Sequence, residues 1–125
     1  MTMFVDSNII VKAFTENNDK DKCRKILNEN FITDALCLIE AHKSITTIKD
    51  SKTYSTKCIK ALFKGQGKII DLNANLLFEA LKRIEKYNLD IFDLVHYTTA
   101  LLNNCSGFVS YDKHFNDLEI KRIEP

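Results

Sequence analysis

The chain has 125 residues, 45 % of them hydrophobic, which suits one domain with its own core. A formal net charge of +1 excludes a whole-molecule field as the basis of any nucleic-acid binding, so an electrostatic case has to rest on local clusters. No apolar run reaches roughly 18 residues, and no basic leader precedes a long apolar core, so the sequence predicts a soluble cytoplasmic protein with no membrane association.

Met3-Phe4-Val5 is a short apolar run that ends at Asp6, Ser7 and Asn8, after which Ile9, Ile10, Ala13 and Phe14 recur at helical spacing. This is the pattern of a buried strand that delivers a carboxylate to a strand-to-helix turn, where open α/β sheets bind their ligands. From Asp19 to about Asn28 the pattern is a short amphipathic helix with Cys23, Ile26 and Leu27 on one side. Phe31-Ile32-Thr33-Asp34 reads as a second strand. Asp34 then caps a helix from Ala35 to about Ile48 whose packing stripe is Leu38, Ala41, Ile45 and Ile48. Glu40 lies beside that stripe, where an acid either reaches water or lines a cleft, and the residues alone favour water.

Residues 43–68 hold Lys43, Lys49, Lys52, Lys57, Lys60, Lys64 and Lys68 against the single acid Asp50, a local excess of six positive charges. Tyr54, Cys58, Ala61 and Leu62 share one side at helical spacing, so the segment is expected to be a helical arm with a basic outer face. Such a face is either simply solvated or a path for a phosphate backbone, with Lys57, Lys60 and Lys64 the candidate contacts. Gly65-Gln66-Gly67 stops it, and Lys68 to Leu72 is the next strand.

Asn73 caps a helix with apolar positions Leu76, Leu77, Ala80, Leu81 and Ile84 that ends near Tyr87 and Asn88. Asp90 caps the next, with Phe92, Val95, Thr99 and Leu102 expected to pack inward and Asp93, Tyr97 and Ala100 on another face. Asp93 sits in the first turn, where the helix dipole favours an acid whatever its function. Gly107 to Asp112 forms a strand that ends in a hydroxyl and an acid, as the first one does. Phe115 and Leu118 mark a helical turn, and Ile120 to Ile123 alternates like an edge strand. Strands separated by helices predict an α/β fold with a mostly parallel sheet covered on both faces. The scattered Cys23, Cys37, Cys58 and Cys105 form no metal-binding pair and are expected as small apolar packers in a reducing compartment. His42, His96 and His114 are not at ligand spacing and are expected in structural or surface roles.

Asp6 and Asp112 close two similar strands, and if those strands are parallel neighbours both carboxylates emerge at one edge. Acids that converge repel each other unless a cation lies between them. Oxygen ligands with no His or Cys beside them select Mg²⁺ or Mn²⁺, which can lower the pKa of a bound water and hold a phosphodiester for in-line attack.

The segments Phe4–Ile10, Leu38-Ile39-Glu40-Ala41, Phe92–Ala100 and Phe108–Phe115, in that order and spacing, resemble the four signatures of the PIN-domain nucleases. In length the chain is similar to the short stand-alone members, the VapC-like toxins of toxin–antitoxin pairs. The resemblance implies one domain over residues 1–125, a three-layer α/β/α sandwich with a short, mostly parallel sheet, and metal-dependent cleavage of RNA. It also implies that Asp6, Glu40, Asp93 and Asp112 surround Mg²⁺ or Mn²⁺, oriented by Ser7, Asn8 and Ser110, in a homodimer held inactive by an antitoxin. Tyr111 departs from the small polar residue often found before the last acid, and arginine is scarce. Haloacid-dehalogenase-like phosphatases want an Asp where Asn8 stands, and receiver domains want an acidic pair where Ser7 follows Asp6. A non-catalytic RNA-binding or protein-interaction module would need an incomplete acidic set, and all four acids are present.

Overall fold

The computed structural model describes residues 2–125. Its strands are β1 (Met3–Val5), β2 (Phe31–Asp34), β3 (Gly67–Ile70), β4 (Gly107–Val109) and β5 (Lys121–Ile123), in the spatial order β3-β2-β1-β4-β5. Every neighbouring pair is parallel, so the sheet is wholly rather than mostly parallel. The three inner strands are almost entirely buried, as expected for apolar runs covered on both faces. The edge strands β3 and β5 are partly open to solvent.

The helices are α1 (Ser7–Ala13), α2 (Lys20–Leu27), α3 (Ala35–Lys49), α4 (Lys52–Leu62), α5 (Ala74–Leu81) and α6 (Ile91–Leu102), with a 3₁₀ turn at Lys113–Phe115. The chain steps outward from β1 to β2 to β3, then crosses back to β4. Right-handed crossovers in opposite directions place α1 to α4 on one face and α5 with α6 on the other, giving three layers. Side chains cap every helix but α2, where Asp19 makes no side-chain cap bond. Asp6, Asp34, Ser51, Asn73 and Asp90 each accept a main-chain N–H at the start of α1, α3, α4, α5 and α6.

Four expectations are revised by this arrangement. The lysine-rich arm is a hairpin of two helices. Asp50, in the left-handed region at φ 50°, ends α3, and Ser51 starts α4 by accepting the Tyr54 N–H at 3.1 Å. α5 is shorter than predicted, and of its apolar row only Leu76 and Ala80 are buried. Leu77 and Leu81, with Ile84 beyond the helix, lie exposed because α6 covers only one side of the row. α6 is buried on nearly every side from Leu94 to Ala100, wedged between the sheet and α5, whereas Phe92 and Leu102 at its ends face solvent. Finally, β4 stops at Val109, so Asp112 lies beyond the strand and accepts the His114 N–H at the start of the 3₁₀ turn.

The core on the α6 side is aromatic. Phe4 stacks on Phe108 with ring centres 4.8 Å apart, Phe108 meets Phe115 at 4.2 Å, and Tyr97 lies against Phe108. The Tyr97 hydroxyl accepts the Ile120 N–H at 2.9 Å, which ties the loop before β5 to α6. All four cysteines are free and buried, as packers should be. Among the described residues no helix is long and apolar enough to cross a membrane.

Candidate metal centre

The register of the sheet builds the site. Met3, Phe4 and Val5 pair with Gly107, Phe108 and Val109, and Phe4 also pairs with Ile32. Continued to the carboxyl edge, this register sets Asp6 abreast of Ser110 on one side and Asp34 on the other. Asp6 therefore faces a hydroxyl, and Asp112 lies two residues further on.

Asp6 is held from three directions. Its Oδ1 accepts the Ser7 N–H at 2.8 Å, and its Oδ2 accepts the Ser110 hydroxyl at 2.7 Å and the Asn8 amide at 3.3 Å. Asn8 also donates to Ser110 Oγ and accepts the Tyr111 N–H, which fastens the segment after β4 to the start of α1. Asn8 and Ser110 thus orient Asp6 with their side chains, whereas Ser7 does so with its main-chain amide. Burial raises the Asp6 pKa, although His96 and these hydrogen bonds oppose it.

Glu40 projects from the second turn of α3. Its carboxylate receives His96 Nε2 at 2.7 Å, while His96 Nδ1 lies 2.8 Å from Asp34 Oδ2. Asp34 is wholly buried and also accepts the Cys37 N–H at 2.8 Å and the Thr99 hydroxyl at 3.3 Å. Cys37 Sγ is 3.4 Å from His96 Nδ1 and 3.9 Å from Asp6 Oδ1. Burial pulls the imidazole pKa down, but its surroundings raise it overall. Cys37, Asp34 and Glu40, all within hydrogen-bond reach of the ring, account for the rise, and burial pushes the Cys37 thiol itself up to about 12.

Asp93 and Asp112 form a second, more open pair. His114 Nδ1 lies 3.2 Å from Asp112 Oδ1 and 3.8 Å from Asp93 Oδ2, with its own ring 74 % exposed. Burial first, then the charges of Asp90, Asp112 and Asp6, raise the Asp93 pKa to about 6. The four predicted acids consequently share one field but fall into two sets of ligand-competent atoms, Asp6 and Glu40 with Cys37 and His96, and Asp93 and Asp112 with His114. The expectation that no His or Cys would stand near the acids is overturned. The donor chemistry still fits a divalent cation, because neighbouring carboxylates add to the burial that raises the Asp93 pKa, and a cation would relieve their repulsion.

A groove beside Glu40, of about 600 Å³, is lined by Ser7, Lys43, Ser44, Thr47 and Ile48, and an adjoining one by Asn8, Lys12 and Asn17. Lys57, Lys60 and Lys64 are exposed on α4 and just after it, and they line neither groove. Among the described residues none of the three has an acidic partner within 4.0 Å. Sequence reasoning gave Asp34 only its capping role and missed the place of His96 and Cys37. His96 follows Asp93 by three residues, one turn of the same helix, and that spacing is the one local signal that could have drawn it to the site.

Fold and site together define an α/β protein with an acidic cluster at the carboxyl edge of a parallel sheet. The family model described as PIN domain matches residues 3–121, and the chain belongs to that family. Among solved structures it is similar to VapC20 of Mycobacterium tuberculosis, a toxin that cleaves the sarcin–ricin loop, with TM-score 0.79 and 11 % identity over 98 % of this chain and 99 % of that one. A toxin–antitoxin complex from Klebsiella pneumoniae matches with TM-score 0.75 and 11 % identity over 97 % and 95 % of the two chains. VapBC2 from Rickettsia felis, bound to a DNA fragment of its promoter, matches with TM-score 0.71 and 18 % identity over 99 % and 98 %. No curated protein matches at the level of sequence.

The Asp93 pKa gives a stability prediction with a definite sign. The folded value of about 6 exceeds the ordinary aspartate value of 3.8, so folding favours the protonated acid. That contribution is complete below the unfolded value and is lost as the pH rises through 6. In metal-free protein Asp93→Asn should raise the melting temperature relative to wild type by more at about pH 8 than at about pH 5. An equal or opposite pH dependence of that difference would show that folding does not raise the Asp93 pKa.

Proposed function

We propose that the protein is a metal-dependent endoribonuclease that hydrolyses RNA phosphodiester bonds as the toxin of a toxin–antitoxin pair. One observation carries the reading: Asp6, Glu40, Asp93 and Asp112 gather at the carboxyl edge of a PIN-domain sheet. These four acids would hold Mg²⁺ or Mn²⁺. Once bound, the ion supplies a water of lowered pKa and neutralises charge developing on the phosphate. The chain's own tasks are positional. Ser110, Asn8 and the Ser7 N–H fix Asp6, and α6 presents Asp93 from a buried, rigid helix. Lys43 in the groove next to Glu40 is placed to meet a phosphate of the bound strand. Replacing Asp6 or Asp112 by Asn should lower RNA cleavage by at least about a hundredfold, the scale of losing an electrostatic contributor, and chelation should abolish wild-type cleavage. Equal rates in the three proteins, or cleavage that survives chelation, would overturn the mechanism.

Lys57, Lys60 and Lys64 extend the positive surface along α4, and their lack of acidic partners supports a role in holding the RNA backbone. Changing all three to Gln should weaken RNA binding and reduce the slope of log K against log salt by about 2, at roughly 0.7 per phosphate contact on a single strand. An unchanged slope would remove α4 from the path.

The working form is a homodimer in the cytoplasm, bound by its antitoxin until released. Exposed apolar residues support the need for partners. Phe78 and Leu81 stand 61 % and 48 % exposed on α5, and an apolar groove between α3 and α4 is lined by Leu38, Ile39, Ile59 and Phe63. The α5 face is assigned to the second copy. Phe78→Glu with Leu81→Glu should convert a dimer to a folded monomer in light-scattering measurements, and a dimer that persists would move the interface elsewhere.

A further inference from the structure

Glu40 differs from Asp6 in how it is held. Asp6 is fixed by three donors, but the Glu40 carboxylate, 31 % exposed on a long side chain, has one hydrogen-bond partner among the described residues, His96. His96 in turn cannot move. It is fully buried, and its other nitrogen binds Asp34, whose two oxygens are occupied by the Cys37 amide, the Thr99 hydroxyl and the imidazole itself. Below the ring lies Phe4, with centroids 6.2 Å apart. A carboxylate oxygen faces each ring nitrogen, so the imidazole is held from both sides.

We propose that His96, anchored by Asp34, is a positioning residue that fixes the Glu40 carboxylate beside Asp6 and thereby sets the affinity of the site for its divalent cation. This rests on the metal-dependent reading above and adds to it what orders Glu40. Without His96, a three-bond side chain at the rim of an open groove would sample rotamers, and ordering it would be paid from the binding energy of the ion. With His96 the rotamer is chosen beforehand, as outer-shell partners do for metal ligands, where their loss weakens affinity about 10- to 100-fold. Asp34 has a double task, since one oxygen caps α3 and the other holds the imidazole. Asn at this position keeps a cap acceptor but replaces the charged anchor.

The test is Mn²⁺ binding measured by calorimetry on the intact protein, with RNA cleavage followed against Mn²⁺ concentration. His96→Gln and Asp34→Asn should each raise the Mn²⁺ dissociation constant about tenfold or more, while cleavage at saturating Mn²⁺ recovers to within a few-fold of wild type. In a Glu40→Gln background, His96→Gln should change Mn²⁺ affinity by less than about twofold, because the residue it positions is already gone. Wild-type affinity in a folded His96→Gln protein, or equal effects with and without Glu40, would overturn the proposal. If His96→Gln does not fold, Asp34→Asn and its combination with Glu40→Gln decide by the same criteria. A wild-type protein that binds no Mn²⁺ would instead overturn the metal-dependent reading itself.

Discussion

Burying the carboxylate of Asp6 at the end of β1 is the constraint around which the rest of the molecule is arranged. Removing an ionised acid from water costs several kcal/mol even after relaxation. Hydrogen bonds to a charged group return roughly 1.5–3 kcal/mol each. Two short contacts, from the Ser7 N–H and the Ser110 hydroxyl, are therefore enough to offset most of the burial, and Asn8 adds a third. Those donors exist only because β1 and β4 are parallel neighbours in a register that sets residue 110 opposite residue 6. The same register stacks Phe4 on Phe108 directly beneath. Site and core are thus fixed by one strand pairing, and a slip of one residue would lose both.

Around Asp6 the remaining acids divide by the way they are supported. Glu40 depends on buried side chains that reach it from the sheet edge and from α6. Asp93 and Asp112 depend on local caps, the first through Asp90 at the start of α6 and the second through the turn after β4. Local caps leave a carboxylate free to shift, and the exposed His114 bridging the pair marks that side as the open mouth of the site. The inner side is preorganised and the outer side adaptable. That division suits the proposed function, in which the centre would grip a cation firmly and admit a polymer.

The fold was largely legible in the sequence because its strands are short apolar runs and its helices begin with strong caps, both of which are local signals. The reading failed where burial is set by distant elements. Leu77 and Leu81 look like core residues by spacing, yet α6 covers only part of α5 and leaves them outside. Asp34 reads as a helix cap, and it is one, but its second oxygen serves His96, 62 residues away. Nothing in the local pattern of either residue announces that contact. The candidate acids follow from strand ends and family resemblance. What supports Glu40 is the contact from His96, which exists only because α3 and α6 meet at the sheet edge.

Its place between the sheet and α5 explains why α6 is buried on nearly every side although much of α5 is not. Asp93 and His96 are one turn apart on α6 and therefore share a face. From that face the helix presents a carboxylate to the outer acids and an imidazole to Glu40 and Asp34. A helix free to slide or rotate would change the spacing of the two sets together. Packing from Leu94 to Ala100 removes that freedom, and the Tyr97 hydroxyl pins α6 to the chain before β5. The rigidity of α6 thus couples the two halves of the site, while α5 is left to present apolar surface outward.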